Sequence, residues 1–199
     1  MAGNVIVIAG PTASGKTALS IALAKELGGE IVSADSMQVY RGMDIGTAKA
    51  TGAEQSEAAH HMLDVADPGE AYSAARYVDE AAACCEDILA RGKLPVITGG
   101  TGLYIDSLLS GRSFAETEDS RELREAIARE YDERGGAAML EKLRHIDPQR
   151  AAILAAPDKR RIVRALEIYA LTGETATAHD EATRALPPRY SAARIVLCY

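Results

Sequence analysis

The chain has 199 residues, 47% of them hydrophobic, and a net charge of −7. This suits one sizeable core, or a core with an insertion, and the acidic balance argues against general nucleic-acid affinity while leaving room for a local basic patch. Aromatics are scarce (no Trp, one Phe, eight Tyr), three cysteines lack metal-binding spacing, and no apolar run approaches membrane-spanning length, so a cytoplasmic chain with no signal peptide and no membrane association is expected.

In chain order, Val5-Ile6-Val7-Ile8-Ala9 reads as a buried parallel strand. The run Gly10-Pro11-Thr12-Ala13-Ser14-Gly15-Lys16-Thr17 follows and fits G-x-x-x-x-G-K-[ST]. A helix is predicted over Ala18 to Leu27, stopped by Gly28-Gly29. Glu30 to Ala34 is a second predicted strand, ending at Asp35-Ser36. Residues 36–72 are loop-rich, and a loop of that length is functional or conceals structure. Ser73 to Ala90 carries a helical apolar stripe (Ala74, Tyr77, Val78, Ala81, Cys85, Ile88, Leu89) that Gly92 terminates. Leu94 to Thr98 is a third strand, ending at Gly99-Gly100-Thr101-Gly102.

The texture then changes to helical. A capping box of Asp119 with Glu122 opens one helix, which ends at Gly135-Gly136. A second covers Ala137 to His145, Asp147-Pro148 breaks the chain, and a third runs from Pro157, placed at a first helical position, to Leu171. Pro187-Pro188 is a linker and Arg194 to Cys198 is again a strand. The expected fold is α/β: a P-loop NTPase-like parallel sheet flanked by helices over 1–113 and 186–199, with a helical insertion over 114–185.

The glycine loop has a definite chemistry. Gly10 and Gly15 allow a tight turn that brings backbone N–H groups onto phosphate oxygens, and the helix start adds its positive end. Lys16 supplies a mobile charge, and the Thr17 hydroxyl is placed for Mg²⁺. The motif calls for a phosphorylated ligand without naming it. In open parallel sheets, ligands bind at the carboxyl ends of strands, which brings Asp35 and the Gly99–Gly102 turn to the same place. Asp35 is either a base or Mg²⁺ partner there, or an ordinary turn cap; the Gly99–Gly102 turn, with the Thr101 hydroxyl, is either an anion nest or a plain strand-to-helix turn. Apart from Asp35, no strand ends in the Asp of an ATPase metal site and no arginine finger stands out, so the loop is expected to hold a diphosphate rather than to drive nucleotide hydrolysis.

Residues 139–169 hold seven Lys/Arg against four Asp/Glu, whereas 116–134 hold four against eight. Lys159, Arg160, Arg161 and Arg164 thus form a basic strip on one helix, which either grips a nucleic-acid backbone or is simply a solvated face. His60-His61 near Asp64 is a poor chelate and reads as structural.

These residues also match a family. Gly10 to Thr17, Ser33-Ala34-Asp35-Ser36-Met37-Gln38-Val39-Tyr40-Arg41-Gly42-Met43-Asp44-Ile45-Gly46-Thr47-Ala48-Lys49, His60-His61-Met62-Leu63-Asp64, Gly99 to Tyr104, and Pro157 to Glu167 closely resemble the tRNA dimethylallyltransferases. The resemblance covers nearly the whole chain and implies a reaction. A dimethylallyl group would pass from dimethylallyl diphosphate to the exocyclic amine of adenosine 37, beside the anticodon of tRNA. It implies that Gly10, Pro11, Thr12, Ala13, Ser14, Gly15, Lys16 and Thr17 hold the diphosphate, with Mg²⁺ at Thr17. Asp35 would accept the amine proton, and Thr101 would help position the amine. Ser36, Met37 and Gln38 would line the flipped-out base, and Arg124, Arg160, Arg161 and Arg164 would contact the RNA. The enzyme is expected to be a monomer and to be shortened at its C-terminus relative to the family. Glu174 to Ala178 departs from the family pattern by lacking its usual Lys-Pro. The competing readings are an adenylate prenyltransferase, a small-molecule kinase using ATP, and a non-catalytic fragment that binds RNA or nucleotide.

Overall fold

A computed structural model describes residues 3–111 and 118–198, except that the side chains of 118–120 fall outside the description. The elements in chain order are β1 (Gly3–Ala9), α1 (Lys16–Leu27), β2 (Gly29–Ser33), α2 (Gly52–Glu57), β3 (His60–His61), α3 (Ala74–Ala90), β4 (Leu94–Gly99) and α4 (Gly102–Ser110). Then come α5 (Glu118–Arg134), α6 (Gly136–Ile146), α7 (Pro148–Ala152), α8 (Lys159–Thr172), α9 (Ala176–Ala185) and β5 (Tyr190–Val196). Contacts divide the chain into two units, 1–113 with 187–199, and 114–186.

The first unit is built on a sheet of order β3-β2-β4-β1-β5 whose paired strands are all parallel. Its central strands are apolar on both faces, as a sheet covered on both sides demands. Ile6, Val96 and Ile31 lie in one register row. With Ile8 they meet Leu19, Ile21, Leu23 and Ala24 of α1. The alternate row of Val7, Ile97 and Val32 is buried as well. α3 packs against β2 and β4, and against α4. Tyr77 of α3 stacks on Tyr104 of α4 with ring centroids 4.0 Å apart. Its hydroxyl donates to Ser33 O, fixing the end of β2 from which Asp35 departs.

Several boundaries differ from the sequence expectation, each for a local reason. The fifth strand is Tyr190–Val196, four residues earlier at its start than Arg194. Pairing with β1 from Gly3↔Tyr190 to Ala9↔Val196 defines it, and an edge strand tolerates the exposed Ser191, Ala193 and Arg194 that hide its apolar signal. The 36–72 stretch conceals α2, opened by a capping box of Thr51 with Glu54, and the two-residue strand β3.

In the second unit, α5, α6 and α8 bury Ile127, Met139, Leu143, Ile162 and Leu166 together. The capping box offered at Asp119 involves a side chain outside the described residues. Asp147-Pro148 ends α6 as expected but also opens α7: the Asp147 carboxylate accepts from Arg150 N, and Pro148 takes the first helical position. Asp147 further accepts from Thr177 N and Oγ1, tying down α9, a helix not anticipated from the sequence. α8 begins at Lys159 and not at Pro157; Asp158 stands at its cap position and turns its carboxylate back to Ala155 N.

Candidate active site

The carboxyl ends of β1, β2 and β4 open onto a cleft of about 440 Å³. Thr12, Ala13, Gly15, Lys16 and Thr17 line one side, Asp35, Gln38, Thr47, Ala48, Lys49 and Glu54 another, with Thr98 and Gly99 at the base. Gly15 sits at φ 88° and caps α1 without a side-chain hydrogen bond, so the first N–H groups of the helix are left for an anion. Lys16 Nζ donates to Pro11 O at 2.6 Å, curling back over the loop. Burial lowers the Lys16 pKa, and the charge of Asp35 opposes that shift; a further negative charge beside Lys16 favours its protonated form in the same way.

Asp35 is a turn cap, as one of its two sequence readings has it, and it also lines the cleft. Its Oδ1 accepts from Met37 N at 2.9 Å and Gln38 N at 3.3 Å, a turn cap, while Oδ2 accepts no hydrogen bond among the described residues. A carboxylate anchored by one oxygen and free at the other is suited to take a proton. Thr101 ties the turn after β4 to the turn after β2. Its N–H donates to Ala34 O, its Oγ1 accepts from Ser36 N at 3.0 Å, and the hydroxyl lies 3.4 Å from Ser36 Oγ. Thr101, Ser36 and Met37 are outside the set that lines the cleft; Gln38 is inside. Gly99 must be glycine because a Cβ there would strike the Ala34 carbonyl.

The side-chain oxygens lining the cleft are hard donors and include the Thr17 and Thr98 hydroxyls and the Asp35 and Glu54 carboxylates. The Thr98 Oγ1 is buried and finds no partner among the described residues, which leaves a polar atom waiting for something in the cleft. The set fits Mg²⁺, which takes few protein oxygens and completes its shell with phosphate and water.

Sequence reasoning missed Thr47, Ala48, Lys49, Glu54 and Thr98 as cleft residues. Thr47, Ala48 and Lys49 did stand within the Ser33 to Lys49 motif, whereas Glu54 had no signal beyond the long 36–72 segment and Thr98 none beyond the third strand end.

In the helical unit, Arg160 and Arg161 are exposed and make no ion pair among the described residues. Arg124 and Arg164 instead converge on Glu167, whose side chain is fully buried: Arg124 Nε lies 3.0 Å from both carboxylate oxygens and Arg164 Nη1 is 2.9 Å from Oε2. Lys159 bonds Asp132 and overlies the Tyr131 ring. His60 and His61 are engaged locally, His60 Nδ1 with Ala58 O and His61 Nε2 with the buried Glu30 at 2.7 Å.

The family described as IPP transferase matches residues 38–199, and the one described as isopentenyl transferase matches 3–67. The chain belongs to the IPP transferase family. It is 48% identical over 192 residues to a tRNA dimethylallyltransferase of Roseiflexus sp. (strain RS-1), covering 96% of this chain and 62% of that protein. A tRNA dimethylallyltransferase of Stenotrophomonas maltophilia (strain K279a) is 53% identical over 168 residues, covering 84% and 53%. Among solved structures, a eukaryotic dimethylallyltransferase described as acting on tRNA aligns with a TM-score of 0.82 at 31% identity over 98% of this chain and 48% of that one. A tRNA delta(2)-isopentenylpyrophosphate transferase from Staphylococcus epidermidis gives 0.60 at 39% identity, covering 98% and 63%. The chain therefore spans less than two thirds of the length of these relatives.

Proposed function

We propose that this member of the IPP transferase family transfers a dimethylallyl group from dimethylallyl diphosphate to the exocyclic amine of adenosine 37 in tRNA. The observation that carries the reading is the pairing, in one cleft, of a phosphate-binding loop with an aspartate whose second oxygen accepts no hydrogen bond among the described residues. The loop N–H groups and Lys16 would take the charge that develops on the diphosphate as the allylic carbon–oxygen bond breaks. The amine nitrogen bonds to that carbon and its proton passes to Asp35 Oδ2. The amine is a weak nucleophile, so a base fixed at the attack point matters. Thr17 and Thr98 would hold Mg²⁺, which supplies further charge stabilisation to the leaving diphosphate when bound. Thr101 would act by holding Ser36, and Ser36, Met37 and Gln38 would border the extruded base.

The exposed Arg160 and Arg161, with Arg124 and Arg164, would contact the RNA backbone around the anticodon loop. Among the described residues no helix is long and apolar enough to cross a membrane. We propose that the protein acts on tRNA as a cytoplasmic monomer.

The test is incubation of the chain with dimethylallyl diphosphate, Mg²⁺ and unmodified tRNA, followed by nucleoside mass spectrometry. Prenylated adenosine at position 37 is the expected product. Prenylation of free adenosine monophosphate but not of tRNA, or release of ADP from ATP in the presence of a small acceptor, would overturn the reading.

A further inference from the structure

Two lysines line the cleft, and they differ in what they have left to give. Lys16 Nζ has one hydrogen bond, to Pro11 O. Lys49 has three: Tyr40 O at 2.8 Å, Asp44 Oδ1 at 2.8 Å and Asp64 Oδ1 at 2.6 Å, on a side chain only 3% exposed. An ammonium has three donors and no acceptor, so Lys49 is saturated and has nothing to offer a phosphate.

Its partners explain its use. Tyr40 and Asp44 belong to the turn after Gln38, and Asp64 follows β3, so the ammonium pins two separate stretches of the loop. The backbone between and beside them is strained: Ala48 has φ 50° and Asp64 φ 55°, left-handed conformations that a side-chain-bearing residue holds only when its surroundings enforce it. Immediately before Lys49, the carbonyls of Thr47 and Ala48 accept from Gln38 Nε2 at 3.0 and 3.3 Å. From the other side, Ser33 Oγ donates to Gln38 Oε1 at 3.1 Å. The Gln38 amide, which lines the cleft, is thus gripped at both ends, and half of the grip is backbone that Lys49 fixes.

We propose that Lys49 is a positioning residue for the acceptor: its triply bonded ammonium locks the 44–49 turn, and that turn holds the Gln38 amide as a rigid wall for the base, with no contact to the diphosphate. This rests on the prenyl-transfer reading. Lys49→Met keeps the length of the side chain and removes the charge, and the half-exposed Asp44 and Asp64 return to water, so the variant folds.

The experiment compares the parent chain, Lys49→Met, Gln38→Ala and the double variant by three readouts. These are tRNA transfer kinetics, binding of Mg²⁺-pyrophosphate, and the nitrogen-15 NMR resonances of the Gln38 side-chain amide, assigned by their absence in Gln38→Ala. In Lys49→Met, kcat/KM for tRNA falls by about tenfold or more while pyrophosphate affinity stays within about twofold. The Gln38 amide resonances collapse toward the values of a free glutamine. The double variant loses little beyond Lys49→Met, because the two residues act as one unit. Pyrophosphate affinity falling in step with transfer would make Lys49 a direct ligand, and unchanged Gln38 resonances would remove the positioning role; either overturns the proposal. If the parent makes no prenylated adenosine, the transfer reading fails, and the Gln38 resonances still decide whether Lys49 holds that side chain.

Discussion

The cleft of the α/β unit and the arginine strip of the helical unit place charge by opposite means. In the cleft, backbone does the placing. The first N–H groups of α1 carry no side-chain cap, Asp35 is held by two backbone amides, and the Gln38 amide is gripped by two carbonyls. In the strip, a buried carboxylate does it: Glu167 draws Arg124 and Arg164 to fixed positions, while Arg160 and Arg161 on the same helix as Arg164 are left to solvent. Backbone placement is stiff and suits bond-making at a defined distance. Side-chain placement around one buried anion is stiff only for the arginines that reach it, and leaves the others free to follow a flexible polyanion.

That contrast can be broken most forcefully at Glu167. Replacing both Arg124 and Arg164 with Ala strands a buried carboxylate, and chemical denaturation is expected to show a loss of about 3–5 kcal/mol. A loss under about 1 kcal/mol would mean that Glu167 is not anchored by these arginines.

A second buried carboxylate sharpens the comparison within the α/β unit. Glu30, 6% exposed, is bonded by Arg91, Lys93 and His61. The hydrogen bonds from Arg91, with help from Lys93 and His61, hold its pKa well below the usual carboxylate range against the opposing effect of burial. A depressed folded pKa contributes stability that is complete above the unfolded value near 4.5 and is lost as the pH falls through and below it. Glu30→Gln is expected to lower stability by about 2 kcal/mol at pH 7 and to flatten the decline below pH 4.5. An unchanged acid slope in urea titrations from pH 7 to pH 3 would contradict the assignment.

The smallest stability effects are expected at the free arginines. Arg160→Ala and Arg161→Ala should each leave stability within about 0.5 kcal/mol. Each should reduce the salt slope of tRNA binding by about one. A parental slope in both variants would reassign the strip as a solvated helix face.

What was legible in the sequence followed from local rules. β1, the glycine loop and α1 are written in one continuous stretch, as are the β2 end at Asp35 and the β4 end at Gly99. What was not legible depends on residues brought together from afar. Lys49 meets Asp64 only because the chain turns through Ala48 and returns after β3, and Glu167 meets Arg124 across 43 positions. β3 is two histidines with no apolar alternation to betray them, yet its pairing with β2 sets the sheet edge and delivers His61 to Glu30. Charged pairs within one helix, such as Arg164 with Glu167, follow helical spacing, whereas partners from different elements emerge only from the fold.

The central claim is that Asp35 serves chemistry while the loop serves binding. Asp35→Asn keeps the oxygen that caps Met37 N and Gln38 N and removes the base. Single-turnover transfer to tRNA, measured beside Mg²⁺-pyrophosphate affinity, tests it directly. The account predicts a rate lower by about 10²–10⁴ with pyrophosphate affinity essentially unchanged. A transfer rate equal to that of the parent would contradict it.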